Sequence, residues 1–174
     1  TGSNLKNLIN FSKTKKSPIS IDLIISNTIK AKGLKYSNQY KIKKKILNFK
    51  NIGIAEKRLL NLLKQNKIQF ICLAGFMKIL SSKFIKQFNG KIINIHPSLL
   101  PRYKGLNTHS RAIQNKDKFT GCSVHYVTEK LDSGKIIIQK KIKILKKDTP
   151  KSLAKKVLKQ EHKLYPKAIL KIFN

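Results

Sequence analysis

Lys91-Ile92-Ile93-Asn94-Ile95-His96-Pro97 is the stretch on which the fold turns. Its run of β-branched residues predicts a strand, and Pro97, with no N–H to offer a ladder, stops it. Side chains alternate along a strand, so Asn94 and His96 project to one face while Ile93 and Ile95 go to the other. The polar pair also falls at the carboxyl end of the strand, where open α/β sheets place their ligands.

Upstream, Ile21 to Ile25 reads as a strand and Ile68 to Leu73 as a buried parallel one, with a weakly alternating stretch over Tyr40 to Ile46 between them. Ile54 to Gln65 carries apolar residues at helical spacing. Downstream, Cys122 to Val127 and Ile136 to Ile144 predict two strands joined by a loop containing Asp132, Ser133 and Gly134. The final element is a helix. Asp148-Thr149 offers a cap, Pro150 suits the first turn, and Leu153, Val157, Leu158, Leu164, Tyr165, Ala168 and Ile172 trace its apolar face, with a kink expected at Pro166. Apolar runs alternating with amphipathic ones indicate an α/β layer architecture in one domain spanning residues 1–174.

Of 174 residues, 36 are Lys and 3 are Arg against 7 acids, a formal charge of +32. So basic a surface invites phosphate backbones. Its texture argues for solvated background instead: the cations are Lys, without the planar fork that favours base and phosphate readout, they spread along the whole chain, and no aromatics interleave with them for stacking. No apolar stretch is long enough to span a bilayer, nothing in these residues resembles a charged-then-apolar secretion signal, and neither a membrane span nor secretion is expected. Cys72 and Cys122 lie far apart without CxxC spacing, so neither a disulfide framework nor a zinc site is expected, and a reducing cytoplasm is the expected home.

Three features bear on chemistry. Asn94 beside His96 pairs an amide donor with an imidazole, a combination able to hold a developing oxyanion and move a proton; the plain alternative is a strand-end hydrogen-bonder. Asp132 is the natural carboxylate partner, since a nearby negative charge raises a His pKa, yet Asp-Ser-Gly is also ordinary turn chemistry. Glu161 falls within the apolar stripe of the last helix, between Val157 and Tyr165. A buried carboxylate needs a partner there, either a ligand or one of the lysines. His109, His125 and His162 show no metal-ligand spacing with acids or cysteines. At the start, Thr1-Gly2-Ser3-Asn4 precedes Leu5, Leu8, Ile9 and Phe11 at helical spacing. That is either a helix cap or a turn presenting backbone N–H groups to an anion.

Leu73-Ala74-Gly75-Phe76-Met77-Lys78-Ile79-Leu80, followed by Asn94-Ile95-His96-Pro97-Ser98-Leu99-Leu100-Pro101-Arg102-Tyr103-Lys104-Gly105, resembles the folate-dependent formyltransferases. Leu106-Asn107-Thr108-His109, Gly121 to His125, Leu131 to Gly134 and Gln160-Glu161-His162 are most similar to the phosphoribosylglycinamide formyltransferase branch. The likeness runs from Gly2 to about Ile172. It implies a Rossmann-like, mostly parallel sheet with helices on both faces, antiparallel strands near the C-terminus, a long last helix, and a first strand expected to be missing. It also implies 10-formyltetrahydrofolate as formyl donor, glycinamide ribonucleotide as acceptor, no metal, no membrane or specific nucleic-acid partner, and a monomer or dimer.

Carried over by position, the resemblance makes Asn94 and protonated His96 the oxyanion holders, with Asp132 keeping His96 charged. Gly2, Ser3 and Asn4 become the phosphate turn and Glu161 a contact to the nucleotide. Met77, Lys78, Ile79 and Leu80, with Thr128, Glu129, Lys130, Leu131 and Asp132, would face the pterin. The chain departs from the family where an Arg usually meets the folate tail: Ile52 or Gly53 stands there, leaving Lys50 or Lys57 as substitutes. Ser133 replaces a common Gly, and Asn107 a common His. The related formyltetrahydrofolate hydrolases usually carry, and methionyl-tRNA formyltransferases need, a further domain that 174 residues are not expected to hold, and a plain basic nucleic-acid-binding module is the reading from another class.

Overall fold

The structure, a computed structural model, describes residues 2–173. It forms two compact units that meet in sequence at Ile92 and Ile93.

The first unit opens with α1 (Ser3–Ser12), then β1 (Leu23–Ser26), a 3-10 turn (Lys32–Leu34) continuing into α2 (Lys35–Gln39), β2 (Lys43–Ile46), α3 (Ile52–Gln65), β3 (Phe70–Leu73) and α4 (Ser82–Gln87). β1 and β2 pair in parallel, with Leu23 opposite Lys43 and Ser26 opposite Ile46. Ile9 of α1, Ile24 of β1, Leu34 and Tyr36 make one buried cluster, against which Leu5, Ile21 and Tyr40 pack. In α3 the residues Ala55, Leu59 and Leu63 are buried at intervals of four, and Asn51 caps the helix by accepting from the Ile54 N–H at 3.1 Å. Glu56, on the same helix, is buried and turned toward α4, where its carboxylate accepts from the Ser81 N–H at 2.7 Å and from the Ser81 hydroxyl. Ser81 is the N-cap of α4 and in turn accepts from the Phe84 N–H.

The second unit holds most of β4 (Lys91–His96), then α5 (Thr108–Gln114), β5 (Phe119–Tyr126), β6 (Ile136–Lys143) and α6 (Pro150–Phe173). Here the strands are antiparallel: Asn94 lies opposite His125 and His96 opposite Ser123, while β5 pairs with β6 from Phe119–Lys143 to His125–Ile136, with a bulge at Val124/His125. The helix α6 buries Leu153, Val157, Tyr165, Ala168 and Ile169 completely. Each aliphatic of this kind contributes about 1.5–3 kcal/mol. The Tyr165 hydroxyl, at the bottom of that face, donates to the Ile93 carbonyl at 3.3 Å. At the start of α6, Thr149 and Ser152 cap each other's N–H groups, and Asp148 accepts from Lys156 Nζ at 2.7 Å. Lys156 first, and the Leu145 N–H next, hold the Asp148 carboxyl down at about 2.

The strands and the two long helices read from the sequence are present. β5 starts earlier than expected, at Phe119, and α6 is helical through Pro166, so the proline ends neither half of the helix. Three short elements had no counterpart in the reading: the turn with α2, α4 and α5. They span five to seven residues or, with the 3-10 turn, a little more, too few for a 3.6-residue period to declare itself. Among the described residues no helix is long and apolar enough to cross a membrane.

Candidate active site

Strand parity puts Asn94 and His96 side by side on β4, and the antiparallel register sets His125 of β5 opposite Asn94. The loop between β5 and β6 then returns Asp132 to them. Two backbone features make that return possible. Asp132 itself adopts a left-handed conformation, φ 46°, and Gly134 packs so tightly on the Tyr126 carbonyl that any Cβ would collide with it. The Asp132 carboxylate ends up between two imidazoles: Oδ2 lies 3.3 Å from His96 Nδ1 and Oδ1 lies 3.6 Å from His125 Nε2. The Gly105 N–H donates to Oδ2 at 2.9 Å. All three side chains are buried, at 7% exposure for His96 and Asp132 and 2% for His125.

The hydrogen-bond partners assign the ring protons. His96 Nε2 lies 2.9 Å from the Tyr103 carbonyl. A carbonyl only accepts, so Nε2 carries a proton, and any second proton taken up by the ring sits at Nδ1 on the Asp132 side. His125 Nδ1 likewise donates to the Tyr126 carbonyl at 2.8 Å, while its Nε2 faces both the Asn94 carboxamide nitrogen, at 3.4 Å, and Asp132 Oδ1, at 3.6 Å. His125 thus stands between the carboxamide of Asn94 and the carboxylate of Asp132.

The electrostatics of the pair pull in opposite directions. Burial lowers the His96 pKa more than the Tyr103 carbonyl and the Asp132 charge raise it, and His125 and Arg111 lower it further. The expectation that Asp132 keeps this imidazole charged therefore meets a desolvation cost that outweighs the carboxylate. Burial also opposes ionisation of Asp132, but His125, the Gly105 N–H and His96 together hold its carboxyl below the ordinary value. The site thus rests with an ionised Asp132 beside a His96 that charges reluctantly.

Glu161 is buried on the packed face of α6, as its place in the apolar stripe required. It lies close enough to Cys122 that its charge adds to burial in pushing that thiol up to about 12. Thr128, Glu129, Lys130 and Leu131 form the exposed rim of the Asp132 loop, tied by the Thr128 hydroxyl donating to the Lys130 carbonyl at 3.2 Å. Ser133, where a Gly is common, accepts from Lys104 Nζ and donates to the Leu131 carbonyl.

In the first unit, Gly2 has φ 72° and stands where a Cβ would strike Gly33. It leads into α1, whose first turn has no side-chain cap and which begins with Ser3 and Asn4. Met77, Lys78 and Ile79 are exposed and Leu80 is buried, in the irregular segment that follows the carboxyl end of β3. Lys50 is exposed just before α3, and Lys57 lines a cleft between α3 and α4 with Glu56, Lys83 and Gln87. Among the described residues no group of three or more His, Cys, Asp and Glu is placed to hold a metal ion.

His125 is the functional neighbour that sequence reasoning passed over. Spacing to other metal ligands was the wrong test for it. The usable signal was parity, since Ser123 and His125 are polar residues two apart on one face of the strand, alternating with Cys122 and Val124.

Comparison with known proteins gives a consistent family. The Formyl transferase profile matches residues 1–169. The human trifunctional purine biosynthetic protein adenosine-3 is 40% identical over 172 residues, 97% of this chain; the chain spans 17% of that protein's length. The phosphoribosylglycinamide formyltransferase of Haemophilus influenzae is 39% identical over 171 residues, covering 97% of this chain and 81% of its own. Among solved structures, the phosphoribosylglycinamide formyltransferase from Brucella melitensis matches with a TM-score of 0.92 at 40% identity, covering 98% of this chain and 90% of that one. The one from Bacillus halodurans matches with a TM-score of 0.93 at 33% identity, covering 99% and 91%. With the profile spanning nearly every residue, and with a mixed α/β fold and long last helix that match those structures, the chain belongs to the formyl transferase family.

Proposed function

We propose that this chain is a cytoplasmic phosphoribosylglycinamide formyltransferase, moving the formyl group of 10-formyltetrahydrofolate to the amine of glycinamide ribonucleotide in purine biosynthesis. The observation that carries the reading is the Asp132 carboxylate set between His96 and His125 beside Asn94. Attack of the amine on the formyl carbon creates a tetrahedral oxyanion. Asn94 donates to it through its amide, and His96 through the Nε2–H that the Tyr103 carbonyl holds at rest. The charge that develops on the oxyanion offsets the cost of a second proton on His96, and Asp132 faces the nitrogen that takes it. Asp132 also receives the proton leaving the amine, through water, and the same proton passes to N10 as its bond to the formyl carbon breaks, so that the oxyanion collapses to the formamide, tetrahydrofolate departs neutral and Asp132 is ionised again.

The remaining roles follow the family motif. Gly2, Ser3 and Asn4 bind the phosphate of the nucleotide at the start of α1, where the helix dipole and its first N–H groups favour an anion. Glu161 binds the nucleotide. Met77, Lys78, Ile79 and Leu80, with Thr128 to Asp132, receive the pterin of the folate, and the exposed apolar side chains of Met77, Ile79 and Leu131 suit a flat ring. In this reading both units serve one reaction as one catalytic domain, which the unbroken family match over residues 1–169 supports.

The test supplies 10-formyltetrahydrofolate with and without glycinamide ribonucleotide and follows tetrahydrofolate. Release that depends on the amine supports the transferase; release at the same rate without it assigns hydrolysis and overturns the reading.

A further inference from the structure

Tyr103 is an aromatic residue in the left-handed region, φ 53°. For a bulky side chain that conformation is an outlier, and it persists only where surroundings over-determine it. They do so here. The Tyr103 hydroxyl donates to Asp117 Oδ2 at 2.7 Å and accepts from Asn115 Nδ2 at 2.8 Å. The Arg102 guanidinium lies over the ring at 5.2 Å and pairs with Asp117 Oδ1 at 2.8 Å. The Arg111 guanidinium also lies over the ring, at 5.0 Å, while its Nη1 donates to the Lys104 carbonyl at 2.8 Å and reaches the Leu106 carbonyl at 3.4 Å. In a chain with 36 Lys and 3 Arg, two of the three arginines are spent on one tyrosine. Stacking on a ring while forking to carbonyls is what a guanidinium does and an ammonium does not.

The turn so held, Tyr103 to Gly105, touches both members of the acid–base pair: the Tyr103 carbonyl accepts from His96 Nε2–H and the Gly105 N–H donates to Asp132. A neutral imidazole has one proton to place. Facing a carboxylate at Nδ1 and nothing at Nε2, it would place that proton at Nδ1, because the charge-assisted bond is the stronger. The carbonyl at Nε2 opposes that choice. We propose that Arg111 and Tyr103 are positioning residues, which hold the strained turn so that His96 keeps its proton on Nε2, the nitrogen that must offer a donor to the oxyanion. The inference rests on the proposed formyl transfer for its consequence, though not for its geometry.

The experiment is nitrogen NMR of the histidines in the full chain, with the His96 signals assigned by their loss in His96→Asn, alongside steady-state kinetics. The lead variant, Arg111→Lys, sits on an exposed side chain and keeps the positive charge that acts on His96. In it the His96 Nε2 signal should move toward that of a bare nitrogen. The value of kcat should fall about 10- to 100-fold, the scale of small misplacements in a reacting geometry, while KM for the nucleotide holds. Tyr103→Phe, which keeps the ring and loses the hydroxyl tie to Asp117, should shift both readouts the same way and by less. An unchanged His96 tautomer in Arg111→Lys overturns the proposal, whether kcat falls or not. Because the NMR readout needs no substrate, absence of amine-dependent transfer by the wild type would count against the formyltransferase reading and leave the clamp to be judged separately.

Discussion

Two carboxylates with buried side chains, Glu56 in the first unit and Asp132 in the second, differ in what surrounds them. Glu56 of α3 spends its oxygens on the N–H and hydroxyl of a single residue, Ser81, and so anchors α4. Asp132 receives one backbone N–H, from Gly105, and otherwise faces two imidazoles. Fixed donors make a carboxylate structural. Partners that can gain or lose a proton make it chemical, because its charge then sets theirs. The seven acids sort along the same line: Asp117 and Asp148 pair with Arg102 and Lys156, Asp22 and Glu129 are exposed, and Glu161 is buried on the core face of α6.

The contrast is open to attack at four points. The largest effect is expected for Asp132→Asn: loss of acid–base function should lower kcat by about 10²–10⁴, with nucleotide KM nearly constant, in steady-state kinetics across pH. An unchanged pH–rate profile would place Asp132 with Glu56 as a structural acid. Glu56→Ala should do the reverse. Leaving the Ser81 donors without their acceptor costs about 1–3 kcal/mol, seen as a lower Tm, with kcat per folded molecule unaltered; a fall in kcat would erase the distinction. Glu161→Gln should weaken nucleotide binding about tenfold, the loss of part of one charge-assisted contact, and isothermal titration would detect it. Unaltered affinity would move Glu161 to the structural class.

The smallest effect is on stability with pH. The imidazoles of His96, His109 and His162 are all lowered, chiefly by burial. A group whose folded pKa is depressed contributes stability above its unfolded value, near 6.5 for His, and loses it as pH falls through the folded value. Asp132, also depressed, adds a loss of the same sign at lower pH. The Tm should therefore decline on acidification from about 6.5, and His96→Asn should flatten that decline in part. An identical slope in the variant would show that His96 titrates as it does in the unfolded chain.

Much of this was legible in advance. The β4 boundaries, the shared face of Asn94 and His96, and the place of Glu161 in the apolar stripe of α6 all follow from periods of two and 3.6 residues, which the chain carries locally. Asp132 could be singled out as an acid in a turn, though not assigned a partner. His125 was missed because its importance depends on which residue of β4 stands opposite. The clamp on Tyr103 was missed because Arg102, Tyr103, Arg111, Asn115 and Asp117 meet only once α5 has folded back over the turn that precedes it.

By itself, then, the sequence determined the elements, the faces their side chains take, and, through its motifs, the family. Only the tertiary structure decided who faces whom: the register of β4 on β5, the left-handed turns at Tyr103 and Asp132, and the resulting order of proton acceptors around His96. The physical reason is range. Alternation and amphipathicity are set by neighbours in the chain, whereas a register or a strained turn is held by contacts that exist only after distant segments have met, and ring protons go wherever those contacts put an acceptor.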